Sequence, residues 1–152
     1  MRTARGARRG EAGLTLIEIM VVVVILGMIA GIVSKVVVDR IEAAKVETAK
    51  AQIAEFMGAL DLFYLDNGFY PSSEQGLQAL VSKPTTGRAP EKYPERGYLR
   101  SLPLDPWNRE YIYVCPGQHG DFDVVCLGRD GAEGGSGFDG DVNSWELGGV
   151  RK

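Results

Sequence analysis

The strongest constraint on the fold is an uninterrupted apolar run over residues 14–33, LTLIEIMVVVVILGMIAGIV. As an α-helix this run would be about 30 Å long, which is enough to cross the hydrocarbon core of a bilayer. Four arginines precede it within the first nine residues. Because arginine and lysine are retained on the cytoplasmic side of a membrane, we expect residues 1–13 to be cytoplasmic and the C-terminal part of the chain to be exported.

The small residue Gly13 stands directly before the apolar run. A conventional secretory signal instead ends in small residues after its apolar core, where it is cleaved. No such site is obvious after residue 33. Cleavage between Gly13 and Leu14 would leave the apolar helix in the mature protein, as a membrane anchor.

Glu18 lies inside the apolar run. An ionised, unpaired carboxylate there would cost on the order of several kcal/mol. No Lys or Arg lies between Leu14 and Ser34. The α-amino group that cleavage would create on Leu14, on the same chain or a neighbouring one, would neutralise Glu18. The alternative is an uncharged Glu18 that the membrane merely tolerates.

The segment Gly13-Leu14-Thr15-Leu16-Ile17-Glu18 and the apolar run after it resemble the processing motif of type IV pilins and pseudopilins. The resemblance implies that a prepilin peptidase cuts after Gly13 and methylates the new N-terminus on Leu14. It also implies that Glu18 guides filament assembly. Two positions depart from the pattern: Leu14 stands where phenylalanine is usual, and Lys35 stands where many members carry proline.

Apolar residues recur at spacings close to three and four beyond the apolar run, which predicts that the helix continues. These residues are Val37, Ile41, Ala44, Ala49, Ile53, Phe56, Met57, Leu60, Phe63 and Tyr64. We expect one helix from about residue 14 to 65, about 78 Å long, stopped by Asn67-Gly68. A transmembrane helix followed by a separate coiled-coil spacer is the alternative.

The C-terminal half predicts short elements between turns. Cap-forming serines start a predicted short helix over residues 72–81. Strands are expected over residues 111–115 and 122–127, joined by a turn at 116–120, with a third strand from about 143 to 147. The predicted fold class is therefore α+β: a long N-terminal helix, half transmembrane and half amphipathic, packed on a small antiparallel sheet. The resemblance makes this fold pilin-like.

Three segments follow from this organisation. Residues 1–13 are the expected cytoplasmic leader, which is removed. Residues 14–34 are the expected transmembrane and filament-core helix. Residues 35–152 form the expected periplasmic domain, which includes the second half of the long helix.

The two cysteines, Cys115 and Cys126, lie on the predicted hairpin. If its turn centres on Gln118, Cys115 lies opposite Asp121. Cys126 is then roughly 17 Å further along the strand and points to the other face. A disulfide would need a different register, so we expect free, buried thiols.

Residues 127–145, LGRDGAEGGSGFDGDVNSW, bring three aspartates into a glycine-rich stretch: Asp130, Asp139 and Asp141. Carboxylates this close repel one another unless a cation binds them. Calcium suits such a loop because it takes six to eight oxygens and accepts backbone carbonyls. The alternative is a flexible, solvated acidic loop.

This loop also resembles the calcium loop of the major pseudopilins of type II secretion systems. The resemblance implies calcium as a cofactor, with Asp130, Asp139 and Asp141 as carboxylate ligands and Leu127 as a carbonyl ligand. Further segments share the likeness, which extends from residue 13 to about residue 147. They are 64–71, 74–77, 102–107 and 116–120.

The resulting hypothesis is the major structural subunit of a type II secretion pseudopilus. It implies a homopolymer in the periplasm, minor pseudopilins, a prepilin peptidase and an inner-membrane assembly platform as partners. A type IV pilin for adhesion, motility or DNA uptake is the nearest alternative. An enzyme is disfavoured because the chain has one histidine, His119, and no evident nucleophile motif. Its net charge of −3 disfavours nucleic acid as a partner.

Overall fold

The computed structural model describes residues 15–148, and the predicted leader lies outside them. One helix, α1, runs from Leu16 to Asn67, which confirms the prediction of a single long helix. Lys35, one of the two departures from the motif, lies within α1, so the chain is helical at this position. The chain divides into two compact units between Asp39 and Arg40.

The first unit is the apolar part of α1. Every side chain from residue 15 to residue 39 is exposed in the monomer. Among the described residues, α1 is the one helix long and apolar enough to cross a membrane. Ser34 satisfies its hydroxyl within the helix by donating to the Ala30 carbonyl at 2.7 Å. A helix that is apolar on all sides is suited to lipid or to neighbouring helices.

The second unit is built on one buried stripe of α1. Its members recur every three or four residues, as the 3.6-residue period of a helix requires. They are Ala49, Ile53, Phe56, Ala59, Leu60 and Phe63. Four other positions from the expected set are exposed and so do not belong to this stripe: Val37, Ile41, Ala44 and Tyr64.

α1 ends where the sequence predicts. Gly68 takes a positive φ of 76°, and its N–H donates to the Tyr64 carbonyl at 2.7 Å. This is the left-handed glycine cap that satisfies one of the last helical carbonyls. The Asn67 amide donates to the Phe63 carbonyl at 3.1 Å and closes the same turn.

A three-stranded antiparallel sheet covers the stripe, in the order β1 (Ile112–Val114), β2 (Asp123–Cys126) and β3 (Val142–Asn143). Tyr113 pairs with Val124, and Cys126 pairs with Val142. The last three of these residues are buried and join the core made by α1. The predicted α+β class is confirmed.

The predicted third strand, residues 143–147, is wrong over most of its length. β3 covers only Val142–Asn143, and a helical turn, α2 (Ser144–Leu147), follows it. The buried Ser144 hydroxyl accepts a hydrogen bond from the Val124 N–H at 3.0 Å. This side chain thus takes the place of the next ladder bond and ends the strand.

The predicted helix over residues 72–81 is also wrong as one element. A turn that starts at Ser72 stops at Gly76, whose φ is +60°, and a 3₁₀ helix then spans Leu77–Leu80. The Gln75 side chain explains the interruption. Its amide donates to the carbonyls of Thr86 at 2.6 Å and Arg88 at 3.0 Å, which fastens the turn to the following loop.

Both cysteines are free, as expected, but only Cys126 is buried. Its burial and the nearby Asp105 carboxylate raise the pKa of the Cys126 thiol to about 11. The hairpin register differs by one residue from the expected one, since Val114 pairs with Asp123. The Asp123 carboxylate fixes this register by accepting the Gln118 N–H at 2.7 Å.

Leu60 and Leu65 provide a matched test of the core, because both lie on α1 but are 0% and 77% exposed. Leu60→Ala should lower the free energy of unfolding by about 2–5 kcal/mol, since it leaves a cavity. Leu65→Ala should change it by less than about 0.5 kcal/mol. Denaturant unfolding of the full chain in mild detergent measures both. Equal losses would contradict the stripe.

Candidate functional site

Glu18 lies in the first turn of α1, where it forms a capping box with Thr15. The Glu18 N–H donates to Thr15 Oγ1 at 3.3 Å, and the Thr15 N–H donates to Glu18 Oε2 at 3.4 Å. These reciprocal bonds satisfy amides that a helix start leaves unpaired. The Thr-x-x-Glu pattern is visible in the sequence, but the interpretation of Glu18 overlooked it. Gly13 and Leu14 lie outside the described residues, so cleavage between them stays a prediction.

The stretch from residue 127 to residue 141, here called the acidic loop, joins β2 to β3. Its two arms meet where the Arg129 N–H donates to the Phe138 carbonyl at 2.9 Å. Gly128 has a φ of +58°, and a Cβ at this position would lie 2.6 Å from the Gly140 carbonyl oxygen. Glycine is therefore required at residue 128 for this close approach of the arms.

Arg129 forms a two-pronged ion pair with Asp139 across the acidic loop. Its Nε lies 2.7 Å from Asp139 Oδ1, and its Nη2 lies 2.9 Å from Oδ2. The hydrogen bonds from the guanidinium lower the pKa of Asp139. The same pair raises the pKa of Arg129. Sequence reasoning missed this contact, although Arg129 is the only Lys or Arg between residues 110 and 150.

The other predicted ligands lie in different environments. Asp130 is exposed, and its Oδ1 accepts the Ala132 N–H at 3.1 Å. Asp141 Oδ2 accepts the Gly134 N–H at 2.9 Å, while its Oδ1 is buried without a hydrogen-bond partner. The Leu127 carbonyl accepts the Gly131 N–H at 3.1 Å.

The acidic loop fits a calcium ion in part. Leu127, Glu133 and Asp141 line one cleft of about 340 Å³, and the orphaned Oδ1 of Asp141 is the kind of oxygen that calcium binds. Asp139 does not fit as it lies, because both of its oxygens bond to Arg129. Within residues 15–148, no three His, Cys, Asp or Glu side chains are grouped closely enough to hold a metal. The calcium ligand set thus stays a prediction.

A second arginine, Arg109, contacts the backbone of the acidic loop. The Arg109 guanidinium donates to the Gly128 carbonyl and lies directly against Gly131. Asp105 positions Arg109: its Oδ1 accepts the Arg109 N–H at 2.8 Å, and its Oδ2 lies 3.4 Å from Arg109 Nε. Asp105 is buried, whereas the Arg109 side chain is 32% exposed, so the pair lies at the edge of the core.

Glu42 connects α1 to the loop that precedes β1. It is buried, and it accepts hydrogen bonds from Trp107 Nε1 at 3.0 Å and from Lys45 Nζ at 2.9 Å. The bond from Lys45, followed by that from Trp107, lowers the pKa of Glu42. Glu42 and Trp107 are 65 positions apart, so no local pattern could pair them.

His119 lies in the turn between β1 and β2, as predicted. Its ring stacks on Trp145 with centroids 3.7 Å apart, and its Nδ1 lies 3.2 Å from Asp123 Oδ2. These contacts join the turn to α2. They provide packing and a polar contact between the turn and its neighbours.

The family model "Type II secretion system (T2SS), protein G" matches residues 36–145. The chain belongs to this family. A second model, the prokaryotic N-terminal methylation motif, matches residues 8–34, where the sequence predicts processing.

Relatives and a solved structure agree with this assignment. The type II secretion system core protein G of Pseudomonas aeruginosa is 51% identical over 91% of this chain and 98% of its own length. That of Vibrio cholerae is 45% identical over 91% and 94%. The major pseudopilin of the type 2 secretion system of enterohaemorrhagic Escherichia coli is 39% identical. It covers 68% of this chain and 89% of its own, with a TM-score of 0.60.

These comparisons confirm the predicted family, the pilin-like fold and the identification with the type II secretion major pseudopilins. The family is one of structural subunits of a pseudopilus assembly, in agreement with a chain that is not an enzyme. The apolar helix and the methylation motif mark a membrane-anchored protein.

Glu42→Gln should flatten the acid dependence of stability. A carboxyl whose pKa is lowered in the folded state contributes stability above its ordinary pKa of 4.5, and that contribution is lost as the pH falls below it. The variant should melt a few degrees below the wild type at pH 7, and the difference should shrink toward pH 3.

Glu47→Gln is the matched control, because Glu47 makes the same i,i+3 contact with Lys50 but is exposed and has no tryptophan partner. It should melt like the wild type at each pH. Thermal melts of the full chain in detergent between pH 3 and pH 7 measure both variants. Parallel curves for Glu42→Gln and the wild type would contradict a charged Glu42.

Proposed function

We propose that this chain is the major subunit of a periplasmic pseudopilus whose growth moves folded proteins through the outer membrane. The observation that carries the proposal is the likeness to type II secretion core protein G over nearly the whole length of both chains. The exposed apolar half of α1 supports it, since a helix that buries nothing in the monomer is available for a filament core.

The proposed route to the filament begins in the inner membrane. The chain enters as a single-pass protein with residues 1–13 in the cytoplasm and its C-terminal domain in the periplasm. Prepilin peptidase cleaves between Gly13 and Leu14 and methylates Leu14. The methylation-motif match over residues 8–34 supports this processing. The assembly platform then adds subunits to a homopolymer that minor pseudopilins join.

In the proposed filament, Glu18 pairs with the Leu14 amine of an adjacent subunit. A buried charge that finds its partner in only one alignment fixes the register between helices. The absence of any Lys or Arg between residues 14 and 34 supports this pairing, because the amine is then the nearest cation.

The capping box allows the charge of Glu18 to be tested apart from its effect on the helix start. Glu18→Gln keeps an oxygen that accepts the Thr15 N–H but removes the charge. Thr15→Ala removes the cap hydroxyl but leaves the carboxylate. In the source bacterium, Glu18→Gln should lower secretion of extracellular hydrolases to the level of the gene deletion. Thr15→Ala should secrete nearly as the wild type does.

Membrane fractionation and filament counts in the same cells complete the experiment. Glu18→Gln should remain membrane-inserted and form no filaments. Normal filaments from Glu18→Gln would contradict the charge pairing. A deletion strain that secretes normally but loses surface motility would contradict the pseudopilus and favour a type IV pilus.

We further propose that the acidic loop binds calcium through Asp130, Asp139, Asp141 and the Leu127 carbonyl, and that calcium thereby supports subunit packing. The buried Asp141 Oδ1 without a partner supports this, because leaving a buried carboxylate oxygen unpaired is costly. A bound cation would supply the missing partner.

Asp141→Asn tests this proposal, since it keeps an oxygen for the Gly134 N–H but removes the charge. Calcium at about 100 times its Kd should stabilise the wild type by about 2.7 kcal/mol. Asp141→Asn should lose most of that gain and melt close to the wild type in chelator. Thermal melts of the full chain in detergent measure the difference.

Asp121→Asn is the control, because Asp121 is an exposed acid outside the acidic loop. It should keep the full gain from calcium. Equal gains in Asp121→Asn and Asp141→Asn would show that Asp141 is not a ligand.

A further inference from the structure

Arg129 gives the acidic loop a cation of its own. The loop contains four acidic residues, Asp130, Glu133, Asp139 and Asp141, and this single base. Both arms of the guanidinium fork engage both oxygens of Asp139, the strongest geometry for an arginine and a carboxylate. Arg129 thus partly neutralises the repelling carboxylates of the loop.

The pair lies where the two arms of the acidic loop also meet through the backbone. The Arg129 N–H donates to the Phe138 carbonyl at 2.9 Å, one residue before Asp139. Gly128 lies against the backbone of Asp139 and Gly140 on the adjacent side. The ion pair therefore joins the two arms of the loop where their backbones also meet.

The exposure of the pair indicates whether it stabilises the whole domain or only the loop. The side chains of Arg129 and Asp139 are 49% and 34% exposed. Exposed ion pairs contribute little to the stability of a whole domain. Their effect is instead local: the pair limits the freedom of a glycine-rich segment.

A divalent cation that used Asp139 would meet this guanidinium. Asp139 offers its two oxygens to Arg129, and a second positive charge a few ångströms away would be repelled by the first. Asp141 differs from Asp139, because its Oδ1 is buried and has no hydrogen-bond partner. Asp141 therefore has an oxygen available to a cation, whereas both oxygens of Asp139 already bond to a cationic side chain.

We propose that Arg129 is a built-in competitor of calcium: it closes the acidic loop in the absence of metal, and calcium must displace it from Asp139 to bind. This inference rests on the calcium binding proposed above. It makes Arg129 a residue that sets metal affinity, not a ligand. Arg129 therefore stabilises the closed loop when no metal is bound, and it lowers the affinity of the loop for calcium.

Arg129→Gln separates these roles in the full chain in detergent. In chelator, amide hydrogen exchange of the acidic loop should become faster, because the ion pair is lost. In a calorimetric titration, calcium should bind about tenfold more tightly, because one positive charge near the metal has been removed. If Arg129 had only a structural role, its substitution would loosen the loop and also weaken calcium binding.

Arg129→Lys is the matched control, because lysine keeps the positive charge but lacks the fork. Its calcium affinity should stay within about twofold of the wild type. Asp139→Asn should remove the gain that Arg129→Gln produces when the two substitutions are combined, since the competition acts through Asp139.

The outcomes separate this inference from the calcium proposal. Equal or weaker calcium binding by Arg129→Gln, relative to a wild type that binds, would overturn the competition and leave the calcium site intact. No calcium binding by either protein would overturn the calcium site and the competition together. Tighter binding by Arg129→Gln with faster exchange of the metal-free loop is the result that we expect.

Discussion

The burial of one face of α1 is the interaction on which the second unit depends. Ile53, Phe56, Leu60 and Phe63 have no exposed surface, and burial of apolar side chains is the dominant favourable term in folding. The sheet is too small to be stable alone, because its strands contain three, four and two residues. It is held by the inner-face residues that it contributes to the same core. The helix therefore positions β2 and β3, and through them the two ends of the acidic loop.

The acidic loop is fixed at its ends but rich in glycine between them, so its ordering costs more conformational entropy than that of an average loop. Two arginines offset part of this cost from different directions. Arg109 pairs with the buried Asp105 and donates to the Gly128 carbonyl. Arg129 spans the loop and pairs with Asp139. Two positively charged side chains of the protein thus contact the loop. These contacts explain how a loop with four carboxylates is held in one arrangement.

The features that the sequence predicts well are those with local signals. The spacing of apolar residues predicts α1, and Asn67-Gly68 predicts its end, because both depend on neighbours within one or two turns. The third strand was mispredicted because the Ser144 hydroxyl bonds to Val124, 20 residues earlier in the chain. The calcium hypothesis treated Asp139 as a free carboxylate, whereas the fold brings Arg129 to it across ten residues. Local periodicity contains no information on such pairs, although a lone arginine among acids was a visible warning.

A continuous series of contacts joins the acidic loop to α1. Gly128 accepts a hydrogen bond from Arg109, the Arg109 guanidinium lies 6.0 Å from the centre of the Trp107 ring, and the Trp107 indole donates to Glu42 on α1. Spatial continuity alone does not couple two sites; an element with two discrete arrangements is needed. The exchange of Asp139 between Arg129 and a metal would supply two arrangements at the loop end. Since Gly128 lies against Asp139, a shift there would act on Arg109 first and on the helix through Trp107. These contacts give a physical route by which a cation bound at the acidic loop would affect Glu42 on α1.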